Sequence, residues 1–80
     1  YALLDTMPEP ARVAEIRRAA LAVPGAWGIE KVFARKTGFQ YHVDLHLEVD
    51  PASTVDQAHQ VSGAVRHRIR AAVPWVADVL

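Results

Sequence analysis

The sequence contains no cysteine and only four glycines. Without cysteine there can be no disulfide framework, no thiolate metal site and no nucleophilic thiol. The glycines are too few and too scattered to form the phosphate cradle of a nucleotide-binding enzyme. The serines are not arranged with a base as a catalytic nucleophile would be, and we therefore expect no enzyme.

The chain also lacks an excess of charge and a long apolar run. Nine Lys and Arg residues balance nine Asp and Glu residues, which argues against general affinity for nucleic acid or anionic membranes. No apolar run approaches the roughly 18 residues of a membrane-spanning helix. Of the 80 residues, 51% are hydrophobic. That is enough for one small domain, which would gain further stability from a partner subunit.

Hydrophobic periodicity predicts a helix and a β-hairpin in the first part of the chain. The helix is expected over about residues 8–23, with four apolar residues at helical spacing: Val13, Ile16, Ala20 and Leu21. The first strand is expected over 27–36, where the apolar pair Val32 and Phe33 breaks the alternation as a β-bulge would. A turn around Gly38 leads into the second strand, expected over 40–49.

A second helix and a third strand are predicted after the hairpin. Thr54 and Gln57 have the spacing of a capping box, which marks a helix start. The helix is expected to run to about residue 73, with five residues facing inward: Ala58, Val61, Val65, Ile69 and Ala72. Pro74 ends it and 75–80 form a strand. This order predicts an α+β sandwich with two helices on one face of a three-stranded antiparallel or mixed sheet.

The second strand, YHVDLHLEV, alternates apolar and polar residues. Its odd positions are expected to face the helices, which leaves four polar side chains on the open face: His42, Asp44, His46 and Glu48. These residue types ligate metals or carry protons. The pattern is equally typical of a solvated sheet face, so the strand by itself leaves both interpretations open.

Other polar residues of interest lie on the second helix. His59 and His67 fall outside its apolar stripe, where a histidine is either a surface residue or a ligand. The run RHRIR, residues 66–70, is expected to be an exposed basic helix end that complements the macrodipole. Trp27 and Trp75 flank strands and are expected to anchor the core or an interface.

Four segments in order, LLDTMPEP, VPGAWGIEKVFARKTG, YHVDLHLEVDP and VDQAHQVSGAV, closely resemble the cytoplasmic C-terminal domain of cation diffusion facilitator transporters. The resemblance covers almost the whole chain. It implies a metallochaperone-like, ferredoxin-like αββαβ fold over residues 8–80, and a linker over residues 1–7 that follows a transmembrane domain. It also implies a homodimer on the cytoplasmic side of a membrane, in which metal binding tightens the dimer and regulates cation/proton antiport.

The resemblance also implies metal ligands. His46 matches a strand ligand, and His59 matches a helix ligand that bridges ions in the zinc members. His67 matches a position used at the dimer interface of iron-handling relatives from magnetosomes. Glu30 stands where zinc members have histidine, and Lys31 stands where they have aspartate, so the sequence departs from the family there. The expected ion is divalent, with zinc as first candidate; iron, manganese, cobalt, cadmium, nickel and copper also suit these ligands.

A second interpretation is a non-metal module that binds a small molecule or only dimerises. Such a domain would need a pocket at the dimer seam and would not respond to metal. A nucleic-acid-binding sheet is disfavoured, because Asp44 and Glu48 on the open face would repel phosphate. A copper chaperone is disfavoured because the chain has no Cys-x-x-Cys motif.

Overall fold

A computed structural model describes residues 10–80 of the chain. The elements follow the predicted order helix, strand, strand, helix, strand: α1 (Pro10–Leu21), β1 (Gly28–Thr37), β2 (Gln40–Glu48), α2 (Val55–Ala72) and β3 (Val76–Val79). The boundaries lie close to the predicted ones; α1, for example, ends at Leu21 and not at Val23. The predicted helix start at Pro8 and the predicted linker over residues 1–7 lie outside the described residues.

The three strands form one mixed sheet in the order β1-β2-β3. β2 is antiparallel to β1 and parallel to β3. Parallel neighbours need a crossover connection, and α2 supplies it between β2 and β3. β2 is therefore the central strand, and its side chains have neighbours on both sides.

The predicted bulge in β1 is present one residue earlier than expected. The pairing of β1 with β2 shifts between Glu30 and Phe33, and Lys31 has a left-handed backbone with φ 49°. Lys31 is the extra residue of the bulge. As a result Val32 is buried in the core whereas Phe33 is 57% exposed, so Glu30 and Phe33 lie on the same face of the sheet.

The core lies between the two helices and one face of the sheet. Its most deeply buried side chains come from both helices, from β2 and from the residue after α2: Ile16, Val43, Val65, Ile69 and Val73. Tyr41, Leu45 and Leu47 pack against this cluster. The odd residues of β2 therefore face the helices, as predicted, and the even residues lie on the open face.

Three apolar residues are less buried than the sequence suggested. Leu21 is 47% exposed and Ala72 is also exposed. Each is the last residue of its helix, and the core position beyond it is filled by Val23 after α1 and by Val73 after α2. Trp27 is exposed and does not anchor the core, whereas Trp75 is half-buried. The Trp75 ring contacts the edge of the Tyr41 ring, with centroids 5.2 Å apart.

The predicted capping box begins α2. The Thr54 hydroxyl accepts a hydrogen bond from the backbone N–H of Gln57 at 3.0 Å, and the Gln57 side-chain oxygen accepts one from the backbone N–H of Thr54 at 2.9 Å. These two bonds satisfy backbone donors that have no partner within the helix. They explain why α2 begins at Val55 although that side chain is exposed.

We expect Thr54→Ala to lower the free energy of unfolding by about 1 kcal/mol, because the cap acceptor is lost. Urea unfolding followed by circular dichroism measures the change. Thr54→Ser is the matched control, since serine keeps the acceptor and should unfold close to wild type. Equal losses in the two variants would mean that the methyl group, and not the cap, stabilises the helix start.

Candidate metal centre

The face of the sheet opposite the helices carries the candidate ligands. Cross-strand pairing places Glu30 of β1 directly opposite His46 of β2, and Phe33 directly opposite Asp44. Directly opposed residues of antiparallel strands have neighbouring side chains on one face. The exposed Glu30 and His46 are thus the two predicted ligands that the sheet brings together.

A second polar pair on this face was not predicted from the sequence. His42 Nδ1 lies 2.9 Å from Asp78 Oδ1 of β3, and Arg35 of β1 is opposite His42 on the other side. The carboxylate holds the imidazole ring and leaves Nε2 for another partner. The contact depends on the parallel pairing of β2 with β3, which are far apart in sequence. The sequence around Asp78 therefore shows only a polar residue beside the apolar Val79 and does not indicate its partner.

A depression of about 360 Å³ opens beside this pair. Its walls come from all three strands and from the residue after β3: Phe33, Ala34, Arg35, His42, Asp44, Asp78 and Leu80. The walls combine an aromatic ring with charges of both signs. The open face is therefore neither uniformly polar nor flat.

The two histidines of α2 lie elsewhere. The side chain of His59 is exposed, and its carbonyl oxygen accepts a hydrogen bond from the Ser62 hydroxyl at 3.2 Å. His67 is exposed too and lines a groove between α2 and β3 together with Arg66 and Arg70. Because α2 packs on the covered face of the sheet, neither residue is part of the open face that carries His46.

Residues 10–80 contain no group of three or more His, Asp or Glu side chains close enough to hold a metal ion. Glu30 and His46 supply one carboxylate and one imidazole, and a structural zinc site has four ligands. The described part of a single chain therefore provides a pair of candidate ligands and not a complete site.

These features agree with comparisons to known proteins. Residues 8–80 match the family model described as the cytoplasmic domain of cation efflux proteins. The chain therefore belongs to this family of membrane transporter domains, and the resemblance seen in the sequence is confirmed. No helix in the described part of the chain is long and apolar enough to cross a membrane.

Two curated relatives illustrate the match. Metal tolerance protein 2 of Oryza sativa subsp. japonica is 34% identical over 77 residues, which are 96% of this chain and 20% of the relative. The magnetosome protein MamM of Magnetospirillum gryphiswaldense is 38% identical over 64 residues, 80% of this chain and 20% of MamM. The chain thus spans about a fifth of the length of these relatives.

Solved structures of the MamM CTD have the same fold. A cadmium form of one variant superposes with a TM-score of 0.85 at 30% identity, covering 88% of each chain. A nickel form of another variant gives a TM-score of 0.85 at 31% identity and covers 89% of this chain and 90% of that one. The predicted α+β, metallochaperone-like fold is therefore confirmed.

Proposed function

We propose that this chain is the regulatory domain of a divalent-metal transporter and binds a divalent cation at the interface of a homodimer. The observation that carries the proposal is the Glu30–His46 pair, which lies exposed on a sheet face that the chain's own helices leave open. Family membership supports it, as do the cadmium and nickel forms of the MamM CTD. The role is binding, with no catalysis.

A second subunit would complete the ligand set. Most homodimers have two-fold symmetry, in which the same patch of each subunit meets its own copy. Two copies of the Glu30–His46 pair contain two carboxylates and two imidazoles, which is the number of ligands that zinc requires. His59 and His67 are the other candidate ligands, from α2 of either subunit. Lys31 beside Glu30 places a positive charge near the site and would lower its affinity.

Regulation follows from mass action. A cation that binds only the dimer stabilises the dimer as its concentration rises. Because each subunit supplies only part of the ligand set, a single subunit binds the cation with modest affinity. Modest affinity suits a sensor of the cytosolic metal level. In the parent transporter, a tighter dimer would act through residues 1–7 on a preceding transmembrane domain and thereby control cation/proton antiport. Zinc is the first candidate; imidazole and carboxylate ligands also suit iron, manganese, cobalt, cadmium, nickel or copper and do not choose among them.

Calorimetric titration of zinc into wild type and variants tests this proposal. We expect His46→Ala and Glu30→Gln to weaken binding by about tenfold or more, because each removes one ligand of an incomplete set. His59→Ala and the His46→Ala/His59→Ala double variant establish whether the helix histidine contributes. His42→Ala is the matched control, because His42 is an imidazole on the same sheet face but is paired with Arg35 of β1 and not with Glu30.

The titration is repeated at about pH 7.5 and about pH 5.5. Metal binding needs deprotonated ligands and releases protons, so the affinity for zinc should be lower at the lower pH. If the double variant binds zinc as tightly as wild type, the site lies elsewhere, and His67 with its counterpart in the partner becomes the leading candidate. If wild type binds no zinc at either pH, the metal-binding proposal is wrong.

A small-molecule module is the second candidate. The depression beside Phe33 and the His42–Asp78 pair supports it, because its volume of about 360 Å³ falls in the range of small-ligand sites. Such a domain would give no heat on zinc titration, and its melting temperature would not change with metal. The titration above therefore separates the two candidates.

A further inference from the structure

The zero net charge of the chain conceals a separation of charge along the molecule. A groove of about 560 Å³ between the C-terminal half of α2 and β3 has three basic residues in its wall: Arg66, His67 and Arg70. Arg66 and Arg70 are one helical turn apart, so their side chains are neighbours. Both are exposed, and neither is within ion-pair distance of a carboxylate in the described part of the chain.

The tip of the β1–β2 hairpin adjoins this groove. Gln40, the first residue of β2, lines the groove, and Phe39 immediately before it is 95% exposed. Gly38 has φ 64°, which only glycine adopts readily, and it turns the chain so that Phe39 projects from the tip. Lys36 is exposed on the other strand, opposite Tyr41. The tip thus presents an aromatic ring beside a lysine.

The start of α1 lies at the same end of the domain. The Arg12 guanidinium carbon is 5.1 Å from the centroid of the Trp75 ring, and Trp75 contacts Tyr41. The backbone N–H of Tyr41 also donates to the carbonyl of Trp75 at 2.9 Å. These contacts connect the first turn of α1 to the hairpin tip and to the residues after α2.

Three acidic residues lie at the opposite end. Glu48 ends β2, Asp50 follows it, and Asp56 is in the first turn of α2. Gln40 and Glu48 are about 26 Å apart at the rise of a β-strand. That distance exceeds the Debye length of about 8 Å at physiological salt, so these three residues do not cancel the field of the basic end. In the described part of the chain, Glu15, beside Ala72 and Val73, and Asp78 of β3 are the carboxylates nearer to it, and they are fewer than its basic residues.

We propose that the basic end, defined as Arg12, Lys36, Phe39, Arg66 and Arg70, binds the surface of an anionic lipid bilayer. A cluster of Lys and Arg residues is attracted to anionic headgroups, and an adjacent exposed aromatic ring enters the boundary between headgroups and acyl chains. A free phosphate ion would need the arginines but has no apolar group to contact Phe39. An acidic peptide would need an apolar residue at one matching position, whereas a bilayer offers anionic headgroups and acyl chains over its whole surface. The combination therefore favours a bilayer.

The position of the basic end agrees with the proposed function. That the basic end faces the membrane of the transporter rests on that function. α1 begins at Pro10, and Arg12 belongs to the basic end. In a transporter whose transmembrane domain precedes residue 1, the chain enters the domain at this end. The basic end would then face the bilayer, and binding would orient the domain beneath it.

Co-sedimentation of the 80-residue chain with vesicles tests the proposal. The vesicles contain phosphatidylcholine alone or phosphatidylcholine mixed with phosphatidylserine, and EDTA is present throughout. We expect binding only to the anionic vesicles, with an affinity that falls as salt rises. Because metal is absent, the outcome does not depend on whether the domain binds zinc.

Variants assign the binding to the basic end. Arg66→Gln and Arg70→Gln should each weaken partitioning about fivefold, and Phe39→Ser about tenfold. The charge-matched control is Arg18→Gln/Lys31→Gln, which removes two exposed charges outside the groove and should stay within about threefold of wild type. All changed side chains are exposed, and unaltered melting temperatures would show that the variants fold.

Three results would overturn the proposal. The first is no binding to phosphatidylserine vesicles in low salt. The second is an equal loss of binding in the control variant, which would mean attraction by general charge and not by this end. The third is full displacement from vesicles by millimolar inorganic phosphate, which would assign the groove to a small anion.

Discussion

Replacing Ile69 with alanine is expected to lower the free energy of unfolding by about 2–5 kcal/mol. Ile69 is fully buried in α2, at the centre of the layer formed by Ile16, Val43 and Val65. Truncation removes apolar contacts from both helices and the central strand, and it leaves a cavity that the surrounding backbone cannot fill. A domain of this size has few other buried side chains to compensate.

Urea unfolding measures this loss as a lower midpoint with an unchanged slope. The melting temperature should fall by roughly 10 °C or more, given about 4–8 °C per kcal/mol for a small domain. Val55→Ala is the matched control, because Val55 is the first residue of the same helix and is 85% exposed. A loss below about 1 kcal/mol for Ile69→Ala would contradict the packing of α2 on the sheet.

Replacing Phe33 with aspartate is expected to raise the dissociation constant of the proposed homodimer by about a hundredfold or more. Phe33 projects from the open sheet face next to Asp44, and Leu80 is exposed beside the same depression. A two-fold interface on this face contains Phe33 of both subunits, so one substitution removes two buried aromatic rings from the dimer. It also adds two charges beside Asp44 of each subunit.

Sedimentation velocity over a range of concentrations measures the monomer–dimer equilibrium. Wild type should sediment as twice the 8.8 kDa chain at micromolar concentration, and the Phe33→Asp variant as the single chain. Phe39→Asp is the matched control, since it makes the same change at the hairpin tip, away from the open face. A wild type that remains monomeric with and without zinc would contradict the homodimer.

Local signals explain why the elements could be predicted from the sequence. Proline and glycine mark the element ends, the spacing of Thr54 and Gln57 marks the start of α2, and strict alternation over β2 assigns each side chain to a face. These signals act within a few residues and do not depend on the rest of the fold. The open face with His46 was predictable for the same reason.

The pairing of residues across the sheet was harder to predict from the sequence. The His42–Asp78 contact joins residues 36 positions apart through a parallel ladder, and parallel register leaves no mark in either strand alone. The Glu30–His46 pairing depends on the register of the hairpin, in which a one-residue slip would move Glu30 to the core side. The family resemblance matched His46 to a strand ligand and Glu30 to a ligand position that holds histidine in zinc members, but only the sheet places the two side by side.

The bulge at Lys31 bends β1 without changing which side chains lie on each face of the sheet. Ile29 and Val32 point into the core, Glu30 and Phe33 point away from it, and Lys31 is the single residue that this alternation does not need. A chain without it would present the same side chains on the same faces along a straighter strand, because a bulge bends and twists the strand that contains it. The angle between the Glu30 end and the Phe33 end of β1 can therefore change by insertion or deletion of one residue. In the proposed homodimer, such a change would alter the angle at which the two open faces meet and would leave Glu30, Phe33 and His46 on the same face.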